Sequence, residues 1–206
     1  MSVNVSGKDP LEARYDRVAR FYDAFTSFFE WFVSRNRKKL LRQAGSSILE
    51  VGVGTGNSFK DYPPGKRIVA VDISREMLSR AAVKKKNYQG SVSLRRQDVQ
   101  RLPFDDDFFD TVFTSCVFCS VTDPVQGLSE LRRVLRKDGK LLMVEHVRSR
   151  GKMLGGLMDR LNPLVNRYGA DNINRDTVDN LRKAGFWVEQ DQNLVYDVVK
   201  AIVAVK

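Results

Sequence analysis

Three glycines at alternate positions end the apolar run ILEVGVGTG, which extends from Ile48 to Gly56. These glycines follow a predicted strand and should precede a helix, the context in which a glycine-rich loop lets the backbone come close to a ligand. The next apolar segment, RIVAVD, ends in Asp72, about 20 residues after Gly52. A carboxylate at that place can accept hydrogen bonds from both hydroxyl groups of a ribose. Gly52, Gly54 and Gly56 followed by Asp72 therefore predict a cofactor that contains adenosine; a tight turn without a ligand is the alternative for the glycines.

The spacing of the glycines distinguishes between two adenosine cofactors. NAD goes with the longer pattern G-x-G-x-x-G and needs a helix N-terminus for its pyrophosphate, whereas this chain has G-x-G-x-G. S-adenosylmethionine has no phosphate, and its sulfonium and amino-acid groups favour a nearby carboxylate such as Glu50. Asp98, after the third predicted strand, can accept from the adenine amine while Val99 packs on the ring; a surface turn is the alternative for Asp98. Together these positions favour S-adenosylmethionine.

Histidine and cysteine provide the other candidates for chemistry. His146, the only histidine, follows the fifth predicted strand directly after Glu145. Ligands of open α/β sheets bind at the carboxyl ends of strands, so His146 is a candidate base or substrate-orienting group; simple packing is the alternative. Cys116 and Cys119 form C-x-x-C after the fourth strand, whereas a redox motif of this spacing accompanies the βαβ unit of a thioredoxin-like fold. We therefore expect neither redox chemistry nor a metal site from these residues.

Alternating strand and helix patterns predict the sheet that positions these residues. The predicted strands are Ser47–Gly52, Arg67–Asp72, Val92–Gln97, Asp110–Cys116, Lys140–Glu145, about Phe186–Asp191 and Val198–Val205. Helices are predicted at Arg75–Lys85 and Pro124–Leu135. This alternation indicates parallel strands with helices on both faces. The last two strands are joined too closely for a crossover helix, so they should pair antiparallel and make the sheet mixed.

The segment before the first strand, from Leu11 to about Arg42, has a helical pattern outside this alternation. We interpret residues 1–42 as an N-terminal helical lid and residues 43–206 as one α/β domain. That domain has a seven-stranded mixed sheet, with six parallel strands and one antiparallel strand. A length of 206 residues suits a single domain.

Four segments resemble successive motifs of class I S-adenosylmethionine-dependent methyltransferases, namely EVGVGTGNSFKDYPPG, VAVDIS, QDVQRLPFDDDFFDTVFTS and ELRRVLRKDGKLLMVEH. The opening YDRVARFYD resembles the N-terminal signature of the ubiquinone/menaquinone methyltransferase type. FCSVTDP and EHVRS are similar to segments of small bacterial phospholipid (phosphatidylethanolamine) N-methyltransferases and of membrane-associated thiol methyltransferases. The resemblance covers nearly the whole chain and implies a Rossmann-like fold with S-adenosyl-L-methionine as cofactor. RKDGK departs from the Pro-Gly-Gly turn of many relatives, but it can still form a turn.

The resemblance also implies a role for each matching residue. Glycines of the loop would line the methionine moiety, Asp72 would hold the ribose, and Asp98 the adenine. Tyr22, from the N-terminal helical region, joins His146 as a catalytic candidate, with core packing as its alternative. The complete set of expected cofactor-binding residues is Tyr15, Tyr22, Glu50, Gly52, Gly54, Gly56, Asp72, Ile73, Met77, Asp98, Val99, Ser115 and Cys116.

A formal net charge of +10 is the unusual bulk property. An anionic substrate, an anionic membrane or nucleic acid would favour such a charge, and so would a thermophile surface rich in Lys and Arg. Nucleic acid is disfavoured because the basic residues are dispersed and have little aromatic interleaving. The polar N-terminus, the lack of a long apolar run and the presence of only two cysteines predict a cytoplasmic protein. If it binds lipid, it should be peripheral on the inner face of the membrane.

Two segments favour a lipid as methyl acceptor. In the first segment an aromatic stripe precedes a basic cluster, a pattern that suits either an anionic membrane surface or a lid. The stripe is Phe21, Phe25, Phe28 and Phe32, and the cluster is Arg35, Arg37, Lys38 and Lys39. An apolar set is expected to line the acceptor pocket: Met153, Leu154, Leu157, Met158, Leu161 and Leu164. We expect methylation of a lipid headgroup amine of the phosphatidylethanolamine type. The alternatives are a quinone-type ring carbon, a small thiol, or a non-catalytic protein that binds an adenosine ligand.

Overall fold

The computed structural model of the protein describes residues 10–169 and 172–206, apart from the side chains of residues 10, 17–18, 20–29, 31–32 and 167–169. The α-helices are α1 (Pro10–Leu41), α2 (Arg75–Lys84), α3 (Pro124–Val134), α4 (Lys152–Gly169) and α5 (Thr177–Lys183). The strands are β1 (Ser47–Val51), β2 (Arg67–Asp72), β3 (Ser91–Arg96), β4 (Phe109–Ser115), β5 (Leu135–His146), β6 (Trp187–Val195) and β7 (Val199–Val205).

All seven strands join one sheet in the order β3-β2-β1-β4-β5-β7-β6. β7 runs antiparallel to β5 and β6, while the other neighbouring pairs are parallel. The predicted sheet of six parallel strands and one antiparallel strand is therefore confirmed. Strand order reverses between β1 and β4, and at such a reversal a crevice opens beyond the carboxyl ends of the two strands.

Helices cover both faces of the sheet, as the alternation of elements predicts. Leu128 and Leu131 of α3 and Leu181 of α5 belong to the core on one face. Leu41 of α1 and Ala81 of α2 belong to the core on the other face. The central strands β1 and β4 are buried along most of their length because helices cover the sheet from both sides.

Helix α2 begins at the crevice because its N-cap follows shortly after β2. The Ser74 hydroxyl accepts a hydrogen bond from the Met77 N–H at 3.1 Å. A serine N-cap satisfies a backbone donor that the first helical turn leaves unpaired. The residues between β2 and α2 are thereby held at the carboxyl edge of the sheet.

Two local expectations differ from the structure. The helix predicted after the glycine loop is a short 3₁₀ helix, Asn57–Asp61. Pro63 and Pro64 follow closely, and the residue before a proline is disfavoured in a helix, so the segment turns back into β2. The RKDGK turn is an irregularity within β5: Leu135 pairs with Phe109, whereas Lys140 pairs with Thr111.

Helix α1 crosses the carboxyl edge and is joined to it by two ion pairs and a hydrogen bond. Near its start, Glu12 pairs with Arg96 of β3 at 2.5 Å. One turn later, the Asp16 carboxylate accepts from the Ser74 hydroxyl at 2.6 Å. Towards its end, Arg37 pairs with Asp61 of the 3₁₀ helix at 2.5 Å. The function of residues 1–42 as a lid stays a prediction, for which α1 has a suitable position.

Within the described residues, no helix combines the length and the apolar character that a transmembrane segment requires.

Candidate cofactor site

A cavity lies at the crevice between the carboxyl ends of the strands. Its walls come from the ends of β1, β2 and β4 and from the loop after β3, with additional side chains from α1 and α2. The predicted cofactor-binding residues among its lining are Tyr15, Gly52, Gly54, Asp72, Ile73, Met77, Asp98, Val99, Ser115 and Cys116. The sequence pattern did not single out the other polar lining residues, Gln97, Gln100, Ser120 and Thr122.

The three glycines of the loop have different functions, although all have positive φ. A Cβ at Gly52 would lie 2.4 Å from the Val117 side chain, and one at Gly56 would lie 2.8 Å from Phe59. These two glycines are required by packing. Gly54 has φ +55 and no atom within 4 Å of an added Cβ, and it lines the cavity. Gly54 is therefore the glycine at which the backbone can approach a ligand.

Asp72 connects the glycine loop to the start of α2. One carboxylate oxygen accepts the Gly54 N–H at 2.8 Å, and the other accepts the Ser74 N–H at 2.9 Å. Burial raises the pKa of Asp72, and the same backbone donors counteract this rise. Each oxygen has further lone-pair capacity, so the carboxylate can also accept from the two hydroxyls of a ribose.

Asp98 forms a local turn that fixes its carboxylate at the cavity wall. One of its oxygens accepts the backbone N–H of Gln100 at 2.9 Å, and the Gln100 side-chain amide contacts both oxygens. The side chain of the next residue, Val99, is buried against the core and also lines the cavity. An exocyclic amine and an apolar ring face would suit this pair.

A second cavity adjoins the first, since both include Gly52, Gly54, Ser115 and Cys116 in their lining. Glu50 lies here, near the end of β1, and is only 3% exposed. Its carboxylate accepts from the Ser58 hydroxyl at 2.5 Å and from the Tyr62 hydroxyl at 3.0 Å. Burial raises the pKa of Glu50 to about 7, although the hydrogen bonds from Ser58 and Tyr62 and the charge of Arg37 counteract it.

Arg37 closes the second cavity from α1. Its guanidinium contacts Glu30 at 2.6 Å, Asp61 at 2.5 Å and the backbone carbonyl of Asn57 at 3.1 Å. Burial alone would lower the pKa of Arg37, but Glu30 and Asp61 raise it overall. Arg37 is buried and so does not belong to a basic membrane-facing cluster, whereas Arg35, Lys38 and Lys39 are exposed.

Glu145 holds the loop that follows β4, a function that the sequence pattern did not reveal. Its fully buried carboxylate accepts from the Thr114 hydroxyl at 2.8 Å and from the backbone N–H groups of Val117 and Phe118 at 3.1–3.2 Å. Cys116 lies within this loop at φ +55, a strained conformation for a residue with a side chain. Such strain persists only where surrounding contacts fix it, as Glu145 does here. A charged residue directly after the apolar run LLMV of β5 was the available signal.

Several predicted residues lie elsewhere or outside the described part. Gly56 does not line the main cavity, and the side chain of Tyr22 and the aromatic stripe of α1 lie outside the described residues. His146 ends β5 at the carboxyl edge and is half-buried, but it lines neither of the two cavities. Its assignment as a base stays a prediction. Of the six apolar residues of α4 that were expected to line an acceptor pocket, Met158 is buried, the other five are exposed, and none lines either of the two cavities.

The residues present fit S-adenosylmethionine better than NAD. A pyrophosphate would need the N-terminus of an α-helix after the loop, and the structure has a short 3₁₀ helix there. The described lining of the two cavities contains the carboxylates of Glu30, Glu50, Asp72 and Asp98, with Arg37 as a single guanidinium. Carboxylates suit a cofactor that carries a sulfonium and an ammonium, and they oppose one that carries phosphates.

Comparison with known proteins agrees with this fit. Residues 49–143 match the family described as methyltransferase domain. A phosphatidylethanolamine N-methyltransferase from Cereibacter sphaeroides is 38% identical over 104 residues, which cover 50% of this chain and 51% of the relative. A ubiquinone/menaquinone biosynthesis C-methyltransferase from Citrifermentans bemidjiense is 30% identical over 146 residues, or 66% of this chain and 62% of the relative. The chain thus spans about half to three fifths of the length of these curated relatives.

Solved structures share the fold. A Thermotoga maritima protein described as an S-adenosylmethionine-dependent methyltransferase superposes with a TM-score of 0.71 at 21% identity, over 94% of this chain and 99% of that one. The chain therefore has the same Rossmann-like fold as this structure. The resemblance inferred from the sequence motifs is confirmed.

Glu50 gives a pH dependence of stability that can be measured. Its pKa rises from an ordinary value of 4.5 to about 7 in the folded protein, so ionisation costs the folded state more than the unfolded one. The contribution of Glu50 to stability is complete below pH 4.5 and is lost as the pH rises through about 7. The unmodified protein should lose this contribution between about pH 5 and pH 8, whereas the variant Glu50→Gln has none to lose. We therefore expect the free energy of unfolding of the unmodified protein to fall by about 2–3 kcal/mol relative to that of the variant over this range.

Urea denaturation at the two pH values measures this difference. The comparison with the unmodified protein removes the contribution of the other titrating groups. A difference between the two proteins that stays constant with pH contradicts the assignment of a raised pKa to Glu50.

Proposed function

We propose that this chain, whose residues 49–143 carry a methyltransferase domain, is an S-adenosylmethionine-dependent methyltransferase. The strongest support is that Gly54, Asp72 and Asp98 line one cavity at the reversal of strand order. S-adenosylmethionine, when bound, supplies a methyl group that is already activated for in-line displacement. The task that remains for the protein is to hold the methyl group and the acceptor in line and to exclude water.

We further propose that the acceptor is a lipid headgroup amine of the phosphatidylethanolamine type. One relative named as a phosphatidylethanolamine N-methyltransferase is 38% identical to this chain over the matched half. The net charge of +10 favours a surface of anionic lipids, on which such a headgroup would be found.

Methylation of a quinone-type ring carbon is the second candidate. The observation that favours it is the longer alignment, 66% of this chain, with a relative named for ubiquinone/menaquinone biosynthesis. The two reactions differ in what the protein must do, since an amine arrives protonated at neutral pH and has to lose a proton before it can attack. For that step His146 and Tyr22 remain the proposed residues, with α1 as the lid over the site.

Gly54 and Gly65 provide a matched pair for testing the cofactor site. Both have positive φ and no atom within 4 Å of an added Cβ, but only Gly54 lines the two cavities. Alanine therefore costs a similar backbone strain at either position, about 1–2 kcal/mol. We expect Gly54→Ala to weaken the binding of S-adenosylhomocysteine at least about tenfold in isothermal titration, because its methyl group occupies ligand space. Gly65→Ala should leave this affinity unchanged, and equal effects of the two variants would contradict the proposed site.

The acceptor is tested by the release of S-adenosylhomocysteine with three substrates: vesicles that contain phosphatidylethanolamine, a demethylated quinone, and a small thiol. We expect methylated headgroup, identified by mass spectrometry, to be formed at least about tenfold faster than the other products. Faster methylation of the quinone would favour the second candidate. Tight cofactor binding without turnover of any acceptor would favour a non-catalytic binder.

A further inference from the structure

Helix α4 exposes an apolar face instead of burying it. The exposed fractions are 91% for Met153, 42% for Leu154, 52% for Leu157, 42% for Leu161 and 57% for Leu164. At about 3.6 residues per turn, these five side chains fall within an arc of roughly 100° on the helix. A surface helix normally turns such a stripe towards the core, so this orientation requires an explanation.

The opposite side of α4 attaches the helix to the domain. Gly155 and Met158 are buried there, and the Ser149 N–H contacts the Met158 sulfur at 3.4 Å. Asp159 forms an ion pair with Arg148 at 2.7 Å. The apolar stripe takes no part in these contacts, which leaves it available for a partner.

The C-terminal end of α4 contacts two elements that line the cofactor cavity, helix α1 and the loop after β4. Asn166 accepts a hydrogen bond through its backbone carbonyl from Arg14 of α1, the helix that lines the cavity through Leu11 and Tyr15. Asn172, three residues after α4, donates through its backbone N–H to the carbonyl of Cys119, in the loop after β4. α4 therefore runs along the carboxyl edge of the sheet.

An exposed aromatic residue lies in a hairpin that is bonded to the start of α4. Tyr196, in the hairpin between β6 and β7, is 85% exposed and has φ +45. The neighbouring Asp197 carboxylate accepts from the Ser149 hydroxyl at 2.9 Å and from the Arg150 N–H at 2.8 Å. These bonds join the hairpin to the start of α4. Tyrosine is a residue that favours the interface between water and lipid.

Basic residues border the apolar stripe. Arg150 and Lys152 are exposed at the start of α4, and Arg160 is exposed beside the stripe. A second copy of the chain on this surface would bring two sets of these basic residues into one interface, where their like charges disfavour association. A partner with a negatively charged surface and an apolar interior is complementary to both the basic residues and the apolar stripe.

We propose that the docking face, defined as Met153, Leu154, Leu157, Leu161, Leu164 and Tyr196 with its basic border, seats the protein on an anionic lipid bilayer. The five α4 side chains enter the boundary between headgroups and acyl chains, while Arg150, Lys152 and Arg160 contact lipid phosphates. The cavity mouth then faces the membrane, so that a headgroup reaches it without leaving the bilayer. This inference rests on the proposed lipid acceptor for its purpose, but the binding itself is measured separately.

Vesicle co-sedimentation at low salt tests the docking face with the full chain. The probes are vesicles of phosphatidylcholine alone and vesicles with added phosphatidylglycerol. We expect the unmodified protein to bind the anionic vesicles and the variant Leu157→Glu/Leu161→Glu to bind at least about tenfold more weakly. Val83→Glu is the matched control, because Val83 is a 67% exposed apolar residue on α2, outside the docking face. It should bind as the unmodified protein does.

A second variant, Tyr196→Ser, tests the hairpin independently of helix α4, and we expect it to weaken binding about threefold. Circular dichroism and S-adenosylhomocysteine affinity show whether each variant is folded. Equal vesicle binding by all four proteins, or binding to neither type of vesicle, overturns the proposal. A concentration-dependent dimer that the double substitution abolishes also overturns it, in favour of a second copy of the chain.

The docking face and the proposed function can fail separately. Methylation of a water-soluble, short-chain phosphatidylethanolamine should be equal in the unmodified protein and the double variant, whereas methylation on vesicles should fall with binding. Vesicle binding that depends on α4 without methylation of either lipid would leave the docking face intact and reject the lipid acceptor. Vesicle methylation that the double substitution does not alter would reject the docking face alone.

Discussion

The carboxylate of Asp72 connects the parts of the molecule that the cofactor site requires. It receives the N–H of Gly54 on one oxygen and the N–H of Ser74 on the other, and so it sets the distance between the glycine loop and the start of α2. Ser74 in turn caps α2 and donates its hydroxyl to Asp16 of α1. One side chain at the end of β2 thus fixes the loop, a helix start and the helix that crosses the edge. Without it, the cavity would lose its shape as well as its ribose acceptor.

Two further buried carboxylates organise the same edge in the same way. Glu50 near the end of β1 holds Ser58 and Tyr62, and Glu145 near the end of β5 holds the loop that contains Cys116. Buried carboxylates are costly unless donors surround them, and the loops at this edge provide those donors. The result is a crevice rich in carboxylates in a chain whose net charge is +10. A cation is the ligand that such a crevice favours, while the positive surface outside favours an anionic membrane.

The parts of this arrangement that depend on local pattern could be predicted from the sequence. β2 begins and ends at the predicted residues, α2 differs by one residue, and Gly54, Asp72 and Asp98 lie together at the predicted edge. The short 3₁₀ helix could not be predicted, because its length is decided by Pro63 and Pro64 and by packing of Phe59 against Gly56. The exposure of the apolar face of α4 could not be predicted either, because an amphipathic pattern does not show which face of a helix packs against the domain. In the sequence Arg37 is one of several basic residues, and only the fold brings Glu30 and Asp61 to it.

The central claim is that the cavity at the carboxyl ends of the strands binds S-adenosylmethionine through Asp72. Its most direct test is isothermal titration of S-adenosylhomocysteine into the unmodified protein and into Asp72→Ala. One site per chain is expected, with affinity weakened by about 1–3 kcal/mol in the variant, as for the loss of a charged hydrogen-bond acceptor. Unchanged affinity in Asp72→Ala, or tighter binding of NAD than of S-adenosylhomocysteine, would contradict the account.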